Sequence, residues 1–220
     1  MKVSEVSITM PLIKGIDKAE DLIVYEARVS NPENQLNLNT APKLLRYLIN
    51  KKHWSPFEMV DYTVEIVTRR FIAAQILRHR SFSFQERSQR YANAQGIEPI
   101  SIRRQAKNNR QSSEEEFNPI VTLHDQQYEA DELVSMVTDL TFDAYEALLN
   151  ADVSRETARS ILPLATSTTM YMKGSVRSWI HYFPVRCDEH TQLEHRQVAY
   201  EILSLFKHRF PVVSEAMGYE

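Results

Sequence analysis

The sharpest change of period in the chain falls at residue 69. Before it, Val60, Tyr62, Val64 and Ile66 alternate with Asp61, Thr63 and Glu65, which predicts a strand with one face in a core. After it, Arg69 to Leu77 carries good helix formers, with apolar residues at Phe71, Ile72, Ile76 and Leu77. A helix should therefore follow the strand directly and place Gln75 and Arg78 on one face. The residues beyond are rich in serine and aromatics without glycine, and predict a loop lined with donors.

Around this strand and helix the pattern supplies further elements. Val3 to Thr9 alternates weakly as a first strand, and Asp17-Lys-Ala-Glu20 resembles a capping box opening a helix through about Arg28. A second helix starts at Thr40-Ala-Pro42, with Leu44, Leu45, Leu48 and Ile49 at helical spacing, and is broken by His53-Trp54-Ser55-Pro56. Residues 94–120, with Pro99, Pro119, Asn108-Asn109 and an acidic run, predict a variable polar loop or flap. A long helix is expected from about Leu123 to Asn150, with Leu133, Met136, Val137, Leu140, Ala144 and Leu148 inward. Ser154 can cap a helix carrying Arg155, Arg159 and Ile161 that stops near Pro163. Thr166 to Lys173 suits a strand ending at Gly174, Ser175 to Phe183 a short helix closed by Pro184. Asp188 can cap a last helix to about Phe210, with Leu193, Ile202, Leu205 and Phe206 inward. The sum is an α+β fold, read as one domain over residues 1–220 because no Gly/Ser/Pro-rich linker divides it.

Composition narrows the function. A net charge of −3 and a pI near 6.2 argue against a dedicated nucleic-acid binder, so any phosphate binding must be local. The single cysteine, Cys187, fits a reducing compartment. The N-terminus lacks a signal-peptide core and no apolar run approaches bilayer length, so a cytoplasmic protein with no membrane partner is expected. Gly15, Gly96, Gly174 and Gly218 are too dispersed for a dinucleotide-binding turn or a P-loop. Side chains must hold any nucleotide phosphate.

The candidates concentrate between Gln75 and Tyr91. From Arg78 to Arg110 there are seven arginines and one lysine. Arginine's planar fork binds phosphate and paired acceptors bidentately, whereas lysine offers a point charge. A solvated basic face would need no order, yet Arg78-His79-Arg80 followed by Glu86-x-Ser88-x-Arg90 mixes cation, acid and hydroxyl as a nucleotide site requires. His190 and His195 stand about 140° apart on a helix and complete no Cys/His set, so they read as structural and no metal is expected.

Arg78-His79-Arg80, seven residues, then Ser88 resembles the signature of flavin-dependent thymidylate synthases. The resemblance extends through Ala27-Arg28-Val29-Ser30, His53-Trp54-Ser55-Pro56-Phe57-Glu58, Arg159-Ser-Ile-Leu-Pro163-Leu, Arg177-Ser and Arg186, in family order. It implies a small, mostly antiparallel sheet with several long helices. It also implies conversion of dUMP to dTMP, with methylenetetrahydrofolate as carbon donor and FAD, recharged by NADPH, as hydride source. Family members are homotetramers whose sites combine residues from several subunits.

By that resemblance Arg186 is the catalytic arginine, contacting the pyrimidine and favouring ionisation at N3. Gln75, Arg78, Glu86, Arg87, Ser88, Gln89, Arg90 and Arg159 would join it around dUMP, with Arg90 and Arg159 toward the phosphate. Ser55, Arg78, His79, Arg80, Glu86, Ser175, Arg177 and His181 would surround FAD; the family often has asparagine where this chain has Ser175. His79, between two arginines, suits a neutral hydrogen-bonding role. No enzyme nucleophile is expected: Ser88 has no evident base, and Cys187, although Arg186 beside it could depress its pKa, is not part of the matched pattern. Two other readings stay open on the residues alone, an FAD enzyme acting on another pyrimidine and a non-catalytic nucleotide-binding module.

Overall fold

The computed structural model describes residues 1–219. In chain order the elements are β1 (Lys2–Ile8), α1 (Ala19–Ala27), α2 (Ala41–Asn50), β2 (Asp61–Arg69), α3 (Arg70–Ile76), β3 (Ser83–Glu86), β4 (Arg103–Gln105) and β5 (Ser113–Glu116). They continue with β6 (Ile120–Leu123), β7 (Gln126–Glu129), α4 (Ala130–Asn150), α5 (Arg155–Ala158), β8 (Ser167–Ser175), α6 (Val176–Arg186), α7 (Leu193–Arg209) and α8 (Pro211–Ala216). The main sheet is antiparallel, with order β1-β2-β8-β3, and the pairs β4-β5 and β6-β7 are separate hairpins. The architecture is α+β, as the pattern predicts.

β2 is central because its alternate residues Tyr62, Val64 and Ile66 are fully buried, under α6 and α7. Full burial of one such side chain stabilises by roughly 1.5–3 kcal/mol. Trp179, also fully buried, satisfies its indole by donating to the Tyr62 carbonyl at 3.0 Å. Gly174 of β8 is required by close approach: a Cβ there would stand 2.4 Å from the Phe82 ring. Phe82 in turn packs at 4.7 Å, edge-on, against Trp179. Among the described residues no helix is long and apolar enough to cross a membrane.

Several boundaries differ from the sequence expectation, each for a local reason. The donor loop after α3 contains β3, which pairs with β8 from Ser83↔Lys173 to Glu86↔Met170. The flap region holds the β4-β5 hairpin. The long helix begins at Ala130, seven residues after Leu123, because β6 and β7 turn back through His124 and Asp125 at φ 50° and 62°. A tight hairpin turn needs such left-handed residues, but His-Asp is a weaker signal than Asn-Gly. On α4, Met136 (44% exposed), Val137 (47%) and Leu140 (68%) point away from this chain's core, whereas Tyr145 is buried.

Pro184 does not close α6; the helix continues to Arg186. A proline there removes the N–H that would bond the carbonyl of Ile180. Tyr219 supplies the missing donor, its hydroxyl meeting that carbonyl at 3.0 Å. Glu20 is not half of a capping box: it lies inside α1, is buried, and accepts the backbone N–H of Val213 at 2.7 Å, at the start of α8. Ser154 precedes α5 but its hydroxyl bonds Thr157 Oγ1 (3.0 Å) and no backbone N–H. Asp188 caps a turn by accepting from His190 N at 2.8 Å, so α7 starts only at Leu193; it ends at Arg209, as expected, and a further short helix, α8, starts at Pro211. Leu193 and Leu205 are only half-buried.

Candidate functional site

α3 leaves β2 without a linker, and its first amides are received by the segment of the same chain that precedes β8: Arg70 N meets Thr166 O at 3.0 Å and Phe71 N meets Leu164 O at 3.1 Å. Ile72, Ala73 and Ile76 turn into the core, and Gln75, half-buried, lies on the flank of that face. The helix then tightens, with His79 N bonded to Ile76 O at 3.1 Å. This turn brings His79 beneath the end of α6. There Arg186 Nε donates to His79 Nε2 at 2.7 Å.

Gln75, Arg78 and Arg186 line one cleft of about 630 Å³ with Gln111, His190, Thr191 and Gln192. Every lining side chain is polar. His79 is pushed down to about 4, first by burial and then by the Arg186 charge. Its ring is therefore neutral near pH 7, with Nε2 as acceptor and the proton on Nδ1. The expected neutrality has a different origin from the flanking arginines. His195, fully buried on α7, is lowered to about 3 by burial, then by Arg186 and His79. It bonds Gln75 Oε1 at 3.2 Å and the Tyr182 hydroxyl at 3.1 Å.

Cys187 corrects one expectation. Burial raises its thiol to about 11, so the neighbouring arginine does not make it a thiolate.

A second set of arginine-stretch residues gathers where β3 ends. Glu86 accepts from Thr168 Oγ1 at 2.9 Å and pairs with Arg70 at 3.4 Å, so its carboxylate is held by protein partners. Arg87 reaches the Asn93 carbonyl at 3.5 Å, Gln89 is buried, and Ser88 Oγ accepts from Arg90 N at 3.3 Å. Arg90 pairs with Glu156 at 3.2 Å beside a depression of about 440 Å³ that also includes Tyr91, Ser154 and Arg155. Arg159 opens the 3-10 turn after α5.

A third set surrounds the start of α6. Ser175 is its N-cap, accepting from Ser178 N at 3.3 Å, which is the local use of the hydroxyl. Arg177 pairs with Glu58 in the short 3-10 turn that Ser55 opens. His181 bonds the Arg177 carbonyl at 2.7 Å and meets the Trp54 ring edge-on at 4.9 Å. Arg80 is exposed. One chain thus brings Gln75, Arg78, His79 and Arg186 together and leaves the other candidates away from that cleft, with Arg90 beside a second depression.

Sequence reasoning missed Gln111, Gln192, Glu194 and Arg103. Arg103 of β4 pairs with Glu194 of α7 at 2.7 Å, which ties the β4-β5 hairpin to the wall of the cleft. The available signal was Glu194, an acid in the first turn of a helix whose next residue is a buried histidine.

The fold and cleft define a class: an α+β protein whose arginines and amides converge on a depression suited to an anionic, hydrogen-bonding ligand. The model of the family described as thymidylate synthase complementing protein matches residues 11–212. A flavin-dependent thymidylate synthase of Synechocystis sp. is 49% identical, with both chains covered in full. A probable flavin-dependent thymidylate synthase of Paramecium bursaria Chlorella virus 1 is 44% identical over the whole of both chains. The crystal structure of a UMP/dUMP methylase, PolB from Streptomyces cacaoi, bound with 5-Br dUMP, shares the fold. Its TM-score is 0.79 at 23% identity, covering 99% of this chain and 94% of that one. The chain belongs to the flavin-dependent thymidylate synthase family, and is thereby a flavin-dependent methyltransferase.

Proposed function

We propose that the enzyme converts dUMP to dTMP, taking the one-carbon unit from methylenetetrahydrofolate and using FAD reduced by NADPH. The observation that carries this reading is the Arg186 guanidinium at the cleft wall, oriented through Nε by the neutral His79. Among the described residues its two terminal nitrogens have no protein hydrogen bond, and they face the role of holding a planar acceptor edge.

A guanidinium against the pyrimidine favours the anion formed on loss of the N3 proton, and so raises electron density at C5. His79 assists by staying neutral: it accepts the Nε proton of Arg186 and adds no second positive charge. Gln75 and Arg78 complete the base side of the cleft, while Arg90 and Arg159 are the phosphate candidates, joined by Arg87, Ser88, Gln89 and Glu86. The thiol of Cys187, protonated at neutral pH, attacks nothing. Cys187→Ala should keep most of the activity.

The donor chemistry fits FAD. Arg78, Arg80 and Arg177 are exposed guanidinium groups near the α3 end and α6 start, and Ser55 and His181 add a hydroxyl and a ring. With Ser175 and Glu86 they form the set we assign to the cofactor. Flavin supplies the hydride when bound, and the protein supplies orientation and charge. Because most of this set lies outside the Arg186 cleft of one chain, we read the working enzyme as a homotetramer with sites shared between subunits. The exposed apolar face of α4 supports that reading. We take residues 1–220 as one functional domain acting in the cytoplasm.

The test is the visible spectrum of the protein after FAD loading and removal of free cofactor, repeated with dUMP. A retained flavin band that dUMP perturbs, followed by dTMP formation with folate and NADPH, is the expected result. A protein that retains no flavin in its native oligomer defeats the proposal.

A further inference from the structure

Glu194 is 5% exposed and makes two strong contacts, accepting from Arg103 at 2.7 Å and from Gln192 Nε2 at 3.0 Å. An ionised carboxylate only accepts, so Gln192 must turn its NH₂ toward Glu194 and its oxygen away. That oxygen receives the NH₂ of Gln75 at 2.6 Å. Gln75 is then left with its own oxygen toward Nδ1 of His195, at 3.2 Å. Nδ1 must carry the proton, which makes Nε2 the acceptor for the Tyr182 hydroxyl at 3.1 Å. Every donor in the row Tyr182, His195, Gln75, Gln192 therefore points the same way, toward one buried negative charge. Aligned hydrogen bonds polarise and reinforce one another, and reversing either amide would set nitrogen against nitrogen or oxygen against oxygen.

We propose that Glu194 is a positioning residue that fixes the orientation of the two cleft amides, Gln75 and Gln192, and thereby sets the preference of the site for a uracil over a cytosine edge. The inference rests on the proposed placement of dUMP in this cleft. Each amide keeps one N–H and one oxygen lone pair beyond the row. Uracil presents acceptor, donor, acceptor along O4, N3–H and O2, whereas cytosine presents donor, acceptor, acceptor. An amide free to rotate by half a turn satisfies either edge. An amide locked by its neighbours satisfies one and leaves the other unpaired, the situation in which polar recognition discriminates most strongly.

Arg103 has the complementary part. It neutralises Glu194 from the β4-β5 hairpin, whose Gln111 also lines the cleft. The lock on the amides and the outer wall of the cleft thus share one ion pair.

The experiment measures dissociation constants of dUMP and dCMP by calorimetry on the FAD-loaded native oligomer, for the wild type and Glu194→Gln. Arg103 only donates, so it keeps the oxygen of a glutamine at 194 and leaves the NH₂ toward Gln192; the row loses the acceptor that fixes its direction. Expected is a rise of about 10-fold in the dUMP constant with a smaller change for dCMP, so that the preference falls about 10-fold. At saturating dUMP, kcat should stay within about threefold, because chemistry is left to Arg186 while KM rises. An unchanged preference in a folded variant, checked by its melting temperature, overturns the proposal.

The double variant Arg103→Met/Glu194→Met removes the anchor and its counter-charge together, which a buried ion pair usually tolerates, and keeps both cleft amides, so it decides the question if Glu194→Gln does not fold. It too must lower the preference, and an equal loss of affinity for both nucleotides overturns the proposal. A wild type that holds FAD but does not bind dUMP defeats the placement of dUMP and this inference together; normal wild-type binding with an unaltered ratio in the variants defeats the role of Glu194 alone.

Discussion

Arg186 and His79 are joined through Nε and Nε2 at 2.7 Å, the last residue of α6 to the turn that follows α3. The bond holds one guanidinium by its side nitrogen and leaves the fork for a ligand. Arg186→Ala should therefore retain flavin yet lose methyl transfer by about 10²- to 10³-fold, the usual effect of deleting a group that stabilises developing negative charge. Arg78→Ala should instead lose flavin on gel filtration. Equal flavin loss in both variants would refute this division of roles.

Acid should destabilise the enzyme through its buried histidines. His195 is lowered to about 3 and His79 to about 4, against about 6.5 in an unfolded chain. The folded state refuses protons that the unfolded state accepts, so stability is complete above pH 6.5 or so and is lost as pH falls toward those folded values. Thermal melts between about pH 7 and pH 4 should show a steady decline, shallower in His195→Gln. A variant with the wild-type slope would exclude His195 as a source.

Glu20 works in the opposite direction. Burial raises its carboxyl from 4.5 to about 7, despite the backbone N–H of Val213 that it accepts. A raised folded pKa gives stability that is present below the unfolded value and lost as pH rises from about 4.5 through 7, on the order of 3 kcal/mol in all. Glu20→Gln keeps an acceptor for α8 without the charge. It should melt higher than wild type at about pH 8 and nearly equally at about pH 5; the reverse order would show that the charged form is the one the fold prefers.

Tyr219→Phe should cost about 1–3 kcal/mol, since the carbonyl of Ile180, facing Pro184, loses its donor. Pro184→Ala restores a backbone N–H, so the phenylalanine substitution should cost much less in that background. Denaturant melts of the four proteins give the coupling directly, and independent effects would show that the hydroxyl does not replace the helical bond.

The parts of the fold legible in the sequence were those where one strong period governed. β2 reads from Tyr62, Val64 and Ile66, and α3 from Ile72 and Ile76, because one face of each is buried. The misplaced boundaries lie where a distant residue decides. Nothing near Pro184 announces Tyr219, and nothing near Glu20 announces Val213. The inward face assigned to α4 failed in part, for another reason: Leu133, Ala144 and Leu148 are half-buried, but Met136, Val137 and Leu140 are exposed in the single chain. For the site, motif matching grouped Gln75, Arg78 and Arg186 and gave His79 to the flavin set, so the bond between His79 and Arg186 was not foreseen. Gln111 in the β4-β5 turn and Gln192 before α7 gave no signal and Glu194 a weak one, because amides and acids at such places are ordinary surface residues until the fold brings them to the cleft.

The cleft that contains Arg186 is lined by Gln75, Arg78, Gln111, His190, Thr191 and Gln192, with no aliphatic or benzenoid side chain among them. An inhibitor placed there has little grease to lean on. Its grip must come from hydrogen bonds to the amides and Thr191 and from ionic contacts with Arg78 and Arg186, and dissolved electrolyte weakens the ionic part over distances of about 8 Å at physiological strength. Potency measured in dilute buffer will therefore overstate potency in a cell, and compounds that gain affinity by growing greasier will be gaining it somewhere else.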